Sequence, residues 1–245
     1  MTTPTPSVVT ALATRQGTED NNADRAAVFT SENGLTAAAV VDISGHPPTA
    51  PTVALLLAET AVRVAAQHGG RAGLLSAGLL VADAGAAEEP EPSGVAVVAT
   101  VQPGERAMIS WIGDAHAYGW DGTELRRYTT PHTLAEQMRV LGIPVGDVAH
   151  DWITTALPQA TPATVLSVTC HDPLIILASD GTDALTHGNL TALVRQHATS
   201  PQTLADAIVN AVPNGPDGYR DDTTVTVLSI PPITPPPAGT VQEPT

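Results

Sequence analysis

The sequence has no lysine, and its ten basic residues are all arginine. They stand against 25 acidic residues, which gives a formal net charge of −15. A chain of this charge lacks the basic patch that the phosphates of nucleic acids require, and anionic membrane surfaces repel it. We therefore expect no nucleic-acid partner and no membrane partner, and mutual repulsion between copies favours a monomer.

Cysteine occurs once, as Cys170, which excludes an intramolecular disulfide and a cysteine-rich zinc site. No apolar run reaches the roughly eighteen residues of a membrane-spanning helix. The N-terminal residues also lack the basic start and apolar core of a signal peptide. These absences predict a cytoplasmic protein.

Aromatic residues make up only 3% of the chain, so aliphatic side chains must fill its core. We expect the few large aromatic side chains to pack the sheets, namely Trp111, Trp120, Trp152, Tyr118 and Tyr128. A platform for stacking nucleic-acid bases would need basic residues around it.

The length of 245 residues suits one domain. We expect this domain to span residues 9–230, after a flexible N-terminus at residues 1–8. Residues 231–245 are rich in proline, which favours neither helix nor strand, and they are predicted to form a disordered tail.

The hydrophobic pattern predicts about nine strands joined mostly by hairpins, with helices inserted in pairs. Turn signals stand at Glu32-Asn33-Gly34 and Asp121-Gly122, and the segment His171-Asp172-Pro173 predicts a further strand pair. The predicted helices are 49–68, 71–84, 134–141, 188–197 and 201–212. This order is typical of an α+β fold with antiparallel sheets and helices on their outer faces.

Four aspartates mark the ends of short apolar runs. Asp42, Asp114 and Asp180 each close such a run, and Asp221 opens one. Carboxylates at strand ends can meet in one acidic pocket, although aspartate is also common in ordinary turns. Oxygen ligands with few histidines fit Mg²⁺ or Mn²⁺ better than zinc. The pattern therefore predicts a divalent cation site.

The segments around these aspartates resemble a known set of motifs. They read, in chain order, NNADRAAVF, VVDISGH, WIGDAHAYGWDG, LASDGTDAL and YRDDTTVTV. In this order they resemble the metal-binding motifs of the PP2C (PPM) family of metal-dependent serine/threonine protein phosphatases, and the chain looks like a divergent bacterial member.

The resemblance implies a fold and an activity. The fold is a four-layer α-β-β-α sandwich of two antiparallel sheets with helix pairs outside. The activity is hydrolysis of phosphoserine or phosphothreonine in a protein substrate by a water bridged between two divalent ions. Two or three Mg²⁺ or Mn²⁺ ions would be the cofactors.

Several site residues follow from the resemblance. Asp42 matches the aspartate that bridges both ions, and Ile43 would offer a backbone carbonyl ligand where the family usually has glycine. Asp180 and Asp221 match ligands of the second ion. His46, which follows Gly45, would donate a proton in catalysis or only close a turn.

Two more acids complete the implied metal set. Asp24 matches an early aspartate that holds the metal shell through water, and Asp114 matches one tied to a third ion. Near Asp24 the sequence departs from the family, because Glu19 stands where an arginine usually binds phosphate. Arg15 or Arg25 could substitute, so the phosphate-binding residue stays unassigned.

Two further departures affect the site. His116 replaces an arginine of the family, and the acid after Asp180 has moved by one place to Asp183. Three hypotheses therefore remain open. The chain is an active metal-dependent phosphatase, a catalytically weak pseudophosphatase that acts as a regulatory binding module, or an unrelated acidic scaffold.

Overall fold

A computed structural model describes residues 7–82, 92–102, 104–146, 149 and 152–231. Most of the predicted flexible N-terminus (residues 1–8) and of the predicted disordered tail (residues 231–245) lies outside these residues. The helix predicted for 71–84 is shorter in the structure: it ends at Leu79 and residues 80–82 are not helical, while the last two predicted residues lie outside the described part.

The described residues form ten strands in two antiparallel sheets. The first sheet has the order β1-β10-β9-β6-β7, and the second has the order β2-β3-β4-β5-β8. The strands are β1 (Val9–Arg15), β2 (Asp24–Thr30), β3 (Thr36–Ile43), β4 (Gly94–Val101), β5 (Ala107–Ile112), β6 (His116–Trp120), β7 (Leu125–Arg127), β8 (Leu166–Cys170), β9 (Leu174–Ala178) and β10 (Thr223–Ser229).

Five α-helices accompany the sheets: α1 (Ala50–His68), α2 (Gly70–Leu79), α3 (Leu134–Val140), α4 (His187–His197) and α5 (Pro201–Ala211). Helices α1 and α2 cover the outer face of the second sheet, and α4 and α5 cover that of the first. Short 3-10 helices that lie wholly within the described residues span Leu157–Gln159 and Asp180–Ala184.

The inner faces of the two sheets pack against each other. Val97 and Ile109 of the second sheet are fully buried in one cluster with Ile175, Leu177 and Leu228 of the first. The order of layers is therefore helix, sheet, sheet, helix, which confirms the predicted α+β sandwich. Small alanines and β-branched valines fill much of this core, as the shortage of aromatic residues requires.

One strand was missing from the prediction. Strand β1 pairs with β10 along its whole length, from Val9 with Ser229 to Arg15 with Thr223. Its sequence, VTALATR, lacks a regular alternation of apolar and polar side chains, so its hydrophobic signal is weak although the backbone pairing is complete.

The predicted pairing across His171-Asp172-Pro173 is wrong. Strand β8 pairs with β5 in the second sheet, whereas β9 lies between β10 and β6 in the first. Every residue of β9 is buried, which requires a central strand, while β8 is a partly exposed edge strand. The chain therefore crosses from one sheet to the other at this segment.

The expectation for the aromatic residues holds except at one position. Trp111, Trp120 and Tyr118 are buried, but Trp152 is 61% exposed. It lies in an irregular segment beyond α3, where no sheet covers it. Within the described part of the chain, no helix has the length and apolarity to cross a membrane.

Candidate functional site

The candidate site begins where β2 and β3 meet at one end of the sandwich. Asp24, the first residue of β2, faces Asp42 in the antiparallel register of the two strands. Asp24 is buried and Asp42 is half-buried. The pairing of two neighbouring strands thus fixes two carboxyl groups side by side.

The first sheet brings further acids to the same end. Asp180 begins the short 3-10 helix that follows β9, and Asp221 lies just before β10. Gly181 permits the close approach of these two segments, because a Cβ there would lie 2.0 Å from the carbonyl oxygen of Asp222. Both Asp180 and Asp221 are half-buried.

Asp114 occupies the turn between β5 and β6, where the chain passes from one sheet to the other. Gly113 before it has a φ of 88°, a left-handed conformation that glycine adopts without strain. Asp114 is buried and lines the same cavity as Asp180 and Asp221.

The five predicted metal-binding carboxyl groups share one neighbourhood. Those of Asp42 and Asp180 lie within hydrogen-bonding reach of each other. Asp24 experiences the negative charges of Asp180 and Asp221, and Asp180 experiences that of Asp114. The strand ends thus place together acids that are far apart in the sequence.

Burial and mutual repulsion raise the pKa values of these acids. Burial is the main cause of the rise of the Asp24 pKa to about 8, which a 2.6 Å hydrogen bond from Ser179 Oγ opposes. Burial also raises the pKa of Asp42, with the charges of Asp24 and Asp180 adding to the effect. The pKa of Asp180 rises to about 7, first through burial and then through Asp114. A nearby cation would reverse these shifts.

The acidic side chains of the candidate site are not arranged around one common metal position. Among the residues that the structure describes, no group of three histidine, cysteine, aspartate or glutamate side chains is placed to hold a metal ion. The carboxyl groups of Asp42 and Asp180 contact each other in this conformation, and Asp24 accepts the hydroxyl of Ser179. Rotation of these side chains would be needed to present their oxygens to a common ligand.

Ile43 lies in β3 opposite Gly94 and is buried. The described residues with positive φ are all glycines, so the backbone at Ile43 needs no conformation that a β-branched residue resists. The exchange of glycine for isoleucine is therefore compatible with the strand at this position.

His46 lies beside the loop that precedes β2. Its Nδ1 is 3.0 Å from the carbonyl oxygen of Asn21 and 3.4 Å from Asp222 Oδ2. Asn21 in turn donates a side-chain hydrogen bond to the carbonyl of His46. The ring thus helps to hold the loop, and it lies outside the lining of the main cavity as the described residues form it.

Asp222 is a site residue that sequence reasoning missed. Its carboxylate oxygens accept 2.6 Å hydrogen bonds from the backbone N–H groups of Gly17 and Ala23. These bonds tie the start of β10 to the loop before Asp24. The doublet Asp221-Asp222 was the available signal, but only its first member was assigned a role.

A cavity of about 740 Å³ opens in front of the acids. Asp114, Asp180 and Asp221 line it together with Arg127 and Arg220, which sequence reasoning did not connect with the site. Its other walls are partly apolar and include Pro131, Ile153, Val212 and Pro213. The cavity could thus receive both a charged group and the chain that carries it.

The arginines considered from the sequence have other partners. Arg15 donates from Nη1 to the carbonyls of Val209, Asn210 and Val212, where it caps the end of α5. Arg25 donates to the backbone carbonyls of Asn22 and Asp24. Neither lines the main cavity as the described residues form it.

Comparison with solved structures identifies the fold. The serine/threonine phosphatase Stp1 from Staphylococcus aureus matches with a TM-score of 0.75 at 16% identity, covering 93% of this chain and 96% of Stp1. The PPM phosphatase MsPP from Mycobacterium smegmatis, in complex with cacodylate, matches with a TM-score of 0.70 at 22% identity, covering 92% of this chain and all of MsPP (100%).

The catalytic domain of the serine/threonine phosphatase PstP, in complex with two manganese ions, matches with a TM-score of 0.67 at 20% identity, covering 91% of this chain and 97% of that domain. No protein-family model and no curated protein sequence matches this chain. At these identities the likeness establishes the fold.

Proposed function

We propose that this chain, whose fold is that of the PPM serine/threonine phosphatases, is a divalent-metal-dependent hydrolase of phosphoserine and phosphothreonine in proteins. Residues 9–230 would form the catalytic domain. The observation that carries the proposal is the contact between the carboxyl groups of Asp42 and Asp180. They come from different sheets and meet beside a cavity that also contains Asp114 and Asp221.

The chemistry of this donor set fits Mg²⁺ or Mn²⁺, because every proposed ligand is a hard oxygen and the carboxylates repel one another. Asp42, Asp180 and Asp221 would bind directly, with the carbonyl of Ile43. Asp24 would hold the metal shell through water. When bound, two such ions lower the pKa of water and neutralise charge on a phosphoryl group.

Asp114 would hold a further ion beside Asp180. It sits in a turn whose backbone conformation depends on Gly113, so its carboxyl group is held at a fixed place beside Asp180. Together with Asp180 and Asp221, it would hold the ions at the cavity wall.

The remaining residues would organise the site. Ser179 holds the Asp24 carboxyl group by a buried hydrogen bond, and Asp222 holds the loop before Asp24. The apolar residues of the cavity wall would exclude water around the substrate chain. If His46 donates a proton, it must do so from Nε2, because its Nδ1 faces the carbonyl of Asn21.

A catalytically weak binding module is the second candidate. Two observations favour it. Glu19 replaces a phosphate-binding arginine, and no ready-made group of three ligand side chains exists among the described residues. Such a module would bind its partner at the same cavity without turnover.

The deciding experiment measures p-nitrophenyl phosphate hydrolysis with Mn²⁺, with EDTA, and in the variant Asp180→Asn. We expect turnover that needs Mn²⁺ and is lost in the variant. Asp206→Asn is the matched control, since Asp206 is an exposed carboxylate on α5 and its loss changes the net charge equally. If calorimetry shows that Mn²⁺ binds but no turnover is detected, the proposed phosphatase activity is wrong and the binding module is favoured.

A further inference from the structure

We propose that Arg127 is the receptor for the anionic group of the substrate, and that His116 and Asp183 are positioning residues that aim it. This inference rests on the proposed function, because it names the residue that recognises phosphate in the same cavity. Glu19 stands where the family usually has a phosphate-binding arginine, and Arg127 would supply that positive charge from β7 instead.

The location of Arg127 suits this role. It is the last residue of β7, is exposed, and lines the cavity with Asp180 and Asp221. Its Nη2 donates a 2.6 Å hydrogen bond to Nδ1 of His116. A guanidinium group has five N–H donors in a planar fork, so one bond to the imidazole still leaves a pair that can engage two oxygens of a phosphate.

The hydrogen bond from Arg127 determines the tautomer of His116. A guanidinium only donates, so Nδ1 must accept and the ring proton lies on Nε2. From Nε2 the ring donates a 2.7 Å hydrogen bond to Asp183 Oδ1. The three side chains therefore form a directed chain from Arg127 through His116 to Asp183.

The middle member of this hydrogen-bonded series, His116, is held rigidly. The His116 ring is fully buried, and it meets the edge of Tyr118 at 5.9 Å between ring centroids and an interplanar angle of 75°. Asp183 lies three residues beyond Asp180 in the same 3-10 helix. The position of the guanidinium is thus coupled to the segment that carries a central carboxylate, which lowers the entropy lost when an anion binds.

Arg127 adds a positive charge to a cavity lined mainly by acids among its charged residues. Asp114, Asp180, Asp183 and Asp221 all line the cavity, and a phosphate dianion would be repelled by them. Arg127 is an exposed cation on the wall, and its charge opposes the rise that burial causes in the pKa of Tyr118. It therefore gives the cavity a positively charged wall at which the anion can bind.

Arg220, the other arginine in the cavity wall, already has a structural function. Its Nη1 donates to Asn214 Oδ1 at 2.7 Å, and its Nη2 donates to the carbonyl of Gln16 at 3.1 Å. Its backbone also exchanges hydrogen bonds with Thr18. Moving this side chain toward a ligand would release the loop at the end of β1, which favours Arg127 as the receptor.

The test is calorimetric titration of inorganic phosphate into the full chain in Mg²⁺ buffer. We expect Arg127→Met to weaken phosphate binding about tenfold or more, the loss typical of a charge-assisted bidentate contact, with the Mg²⁺ affinity unchanged. Arg126→Met is the matched control, because Arg126 precedes Arg127 on the same strand and pairs instead with Asp121, Glu124 and Asp172. Equal phosphate affinity in Arg127→Met and wild type, or an equal loss in both variants, would overturn the proposal.

The positioning role has its own measurement. Gln can both accept from Arg127 and donate to Asp183, so His116→Gln should keep most of the affinity while His116→Ala loses it. In the Arg127→Met background, His116→Ala should cause no additional loss of phosphate affinity. Additive losses would show that His116 does not act through Arg127. Thermal melts of each variant identify any that fail to fold.

The phosphate titration tests the role of Arg127 and the turnover assay tests the enzyme activity, so either proposal can fail without the other. A chain that binds phosphate through Arg127 but does not hydrolyse p-nitrophenyl phosphate would retain this inference and lose the proposed enzyme activity. A chain that hydrolyses the ester with an unchanged KM in Arg127→Met would retain the activity and lose the receptor.

Discussion

The carboxylate of Asp222 accepts a 2.6 Å hydrogen bond from the backbone N–H of Ala23, the residue before Asp24. Its other oxygen accepts an equally short bond from Gly17. Asp222, which follows the proposed ligand Asp221, therefore holds the loop that precedes the proposed ligand Asp24. The geometry of the site depends on this contact between the start of β10 and the segment that joins β1 to β2.

Replacing Asp222 should destabilise the protein. Asp222→Ala leaves two backbone N–H groups without their acceptor, which should lower the free energy of unfolding by roughly 3 kcal/mol. Asp222→Asn keeps one acceptor and should cost about half as much. Urea unfolding in EDTA measures both. Asp221→Asn is the control, and we expect it to leave stability unchanged or slightly raised, since it removes a like charge; a similar loss in Asp221→Asn would contradict the assignment.

Replacing Asp42 should separate folding from metal binding. Asp42→Asn removes a half-buried acid that contacts Asp180, so the metal-free protein should melt at the same temperature or higher. We expect Mn²⁺ to raise the Tm of the wild type but not that of the variant. Differential scanning fluorimetry with and without Mn²⁺ checks both statements, and a full Mn²⁺ response in the variant would remove Asp42 from the ligand set.

The metal-free protein should lose stability as the pH rises. The pKa of Asp24 is about 8 in the folded chain against an ordinary 3.8, so between these values the folded state holds a proton that the unfolded state has released. Stability is therefore fully present below the ordinary pKa and is lost as the pH passes through the folded one. Thermal melts in EDTA across this interval should show a falling Tm, and Asp24→Asn should flatten the slope. A Tm that rises through the interval would refute this account.

Gly181 should not tolerate a side chain. A Cβ there would lie 2.0 Å from the carbonyl oxygen of Asp222 and 2.8 Å from Thr223 Oγ1, so Gly181→Ala must push β10 away from the end of β9. We expect a loss of about 2 kcal/mol or more in urea unfolding and weaker Mn²⁺ binding. Gly146→Ala is the control, because a Cβ at that position meets nothing within 4 Å and should change neither quantity.

Glu19→Arg should improve substrate binding. Burial is the main cause of the raised pKa of Tyr219, which lines the cavity, and the negative charge of Glu19 adds to it. Reversing this charge should lower the KM for p-nitrophenyl phosphate severalfold at unchanged kcat. Glu105→Arg, at an exposed position on a different cavity, supplies the same charge change as a control. An unchanged KM in Glu19→Arg would place Glu19 outside the substrate's path.

The sequence was sufficient for much of the fold and for part of the site. Asp42, Asp180 and Asp221 stand at the ends of clear apolar runs, and strand ends lie at the rim of a sandwich wherever the strands pair. The helix bounds agree with the predictions to within one residue, except that the helix predicted to reach residue 84 ends at Leu79. These features depend on local patterns, which a single sequence displays.

The remaining features depend on long-range pairing. Arg127 reaches the site because β7 joins β6 and β6 joins β9, an order that no local pattern determines. The separation of β8 from β9 has the same origin, since the turn signal between them resembles that of a hairpin. His116 was noted as a substitution, but its contact with Arg127 appears only in the folded chain.

The pairing of Val9 with Ser229 brings the beginning of the first strand and the end of the last strand to one edge of the molecule. Directly opposed residues in antiparallel strands have Cα atoms only about 5 Å apart. A short linker could therefore join them, and new termini could be opened at an exposed turn such as Asp121-Gly122. The domain is in this sense suited to circular permutation and to insertion as a module into the loop of another protein.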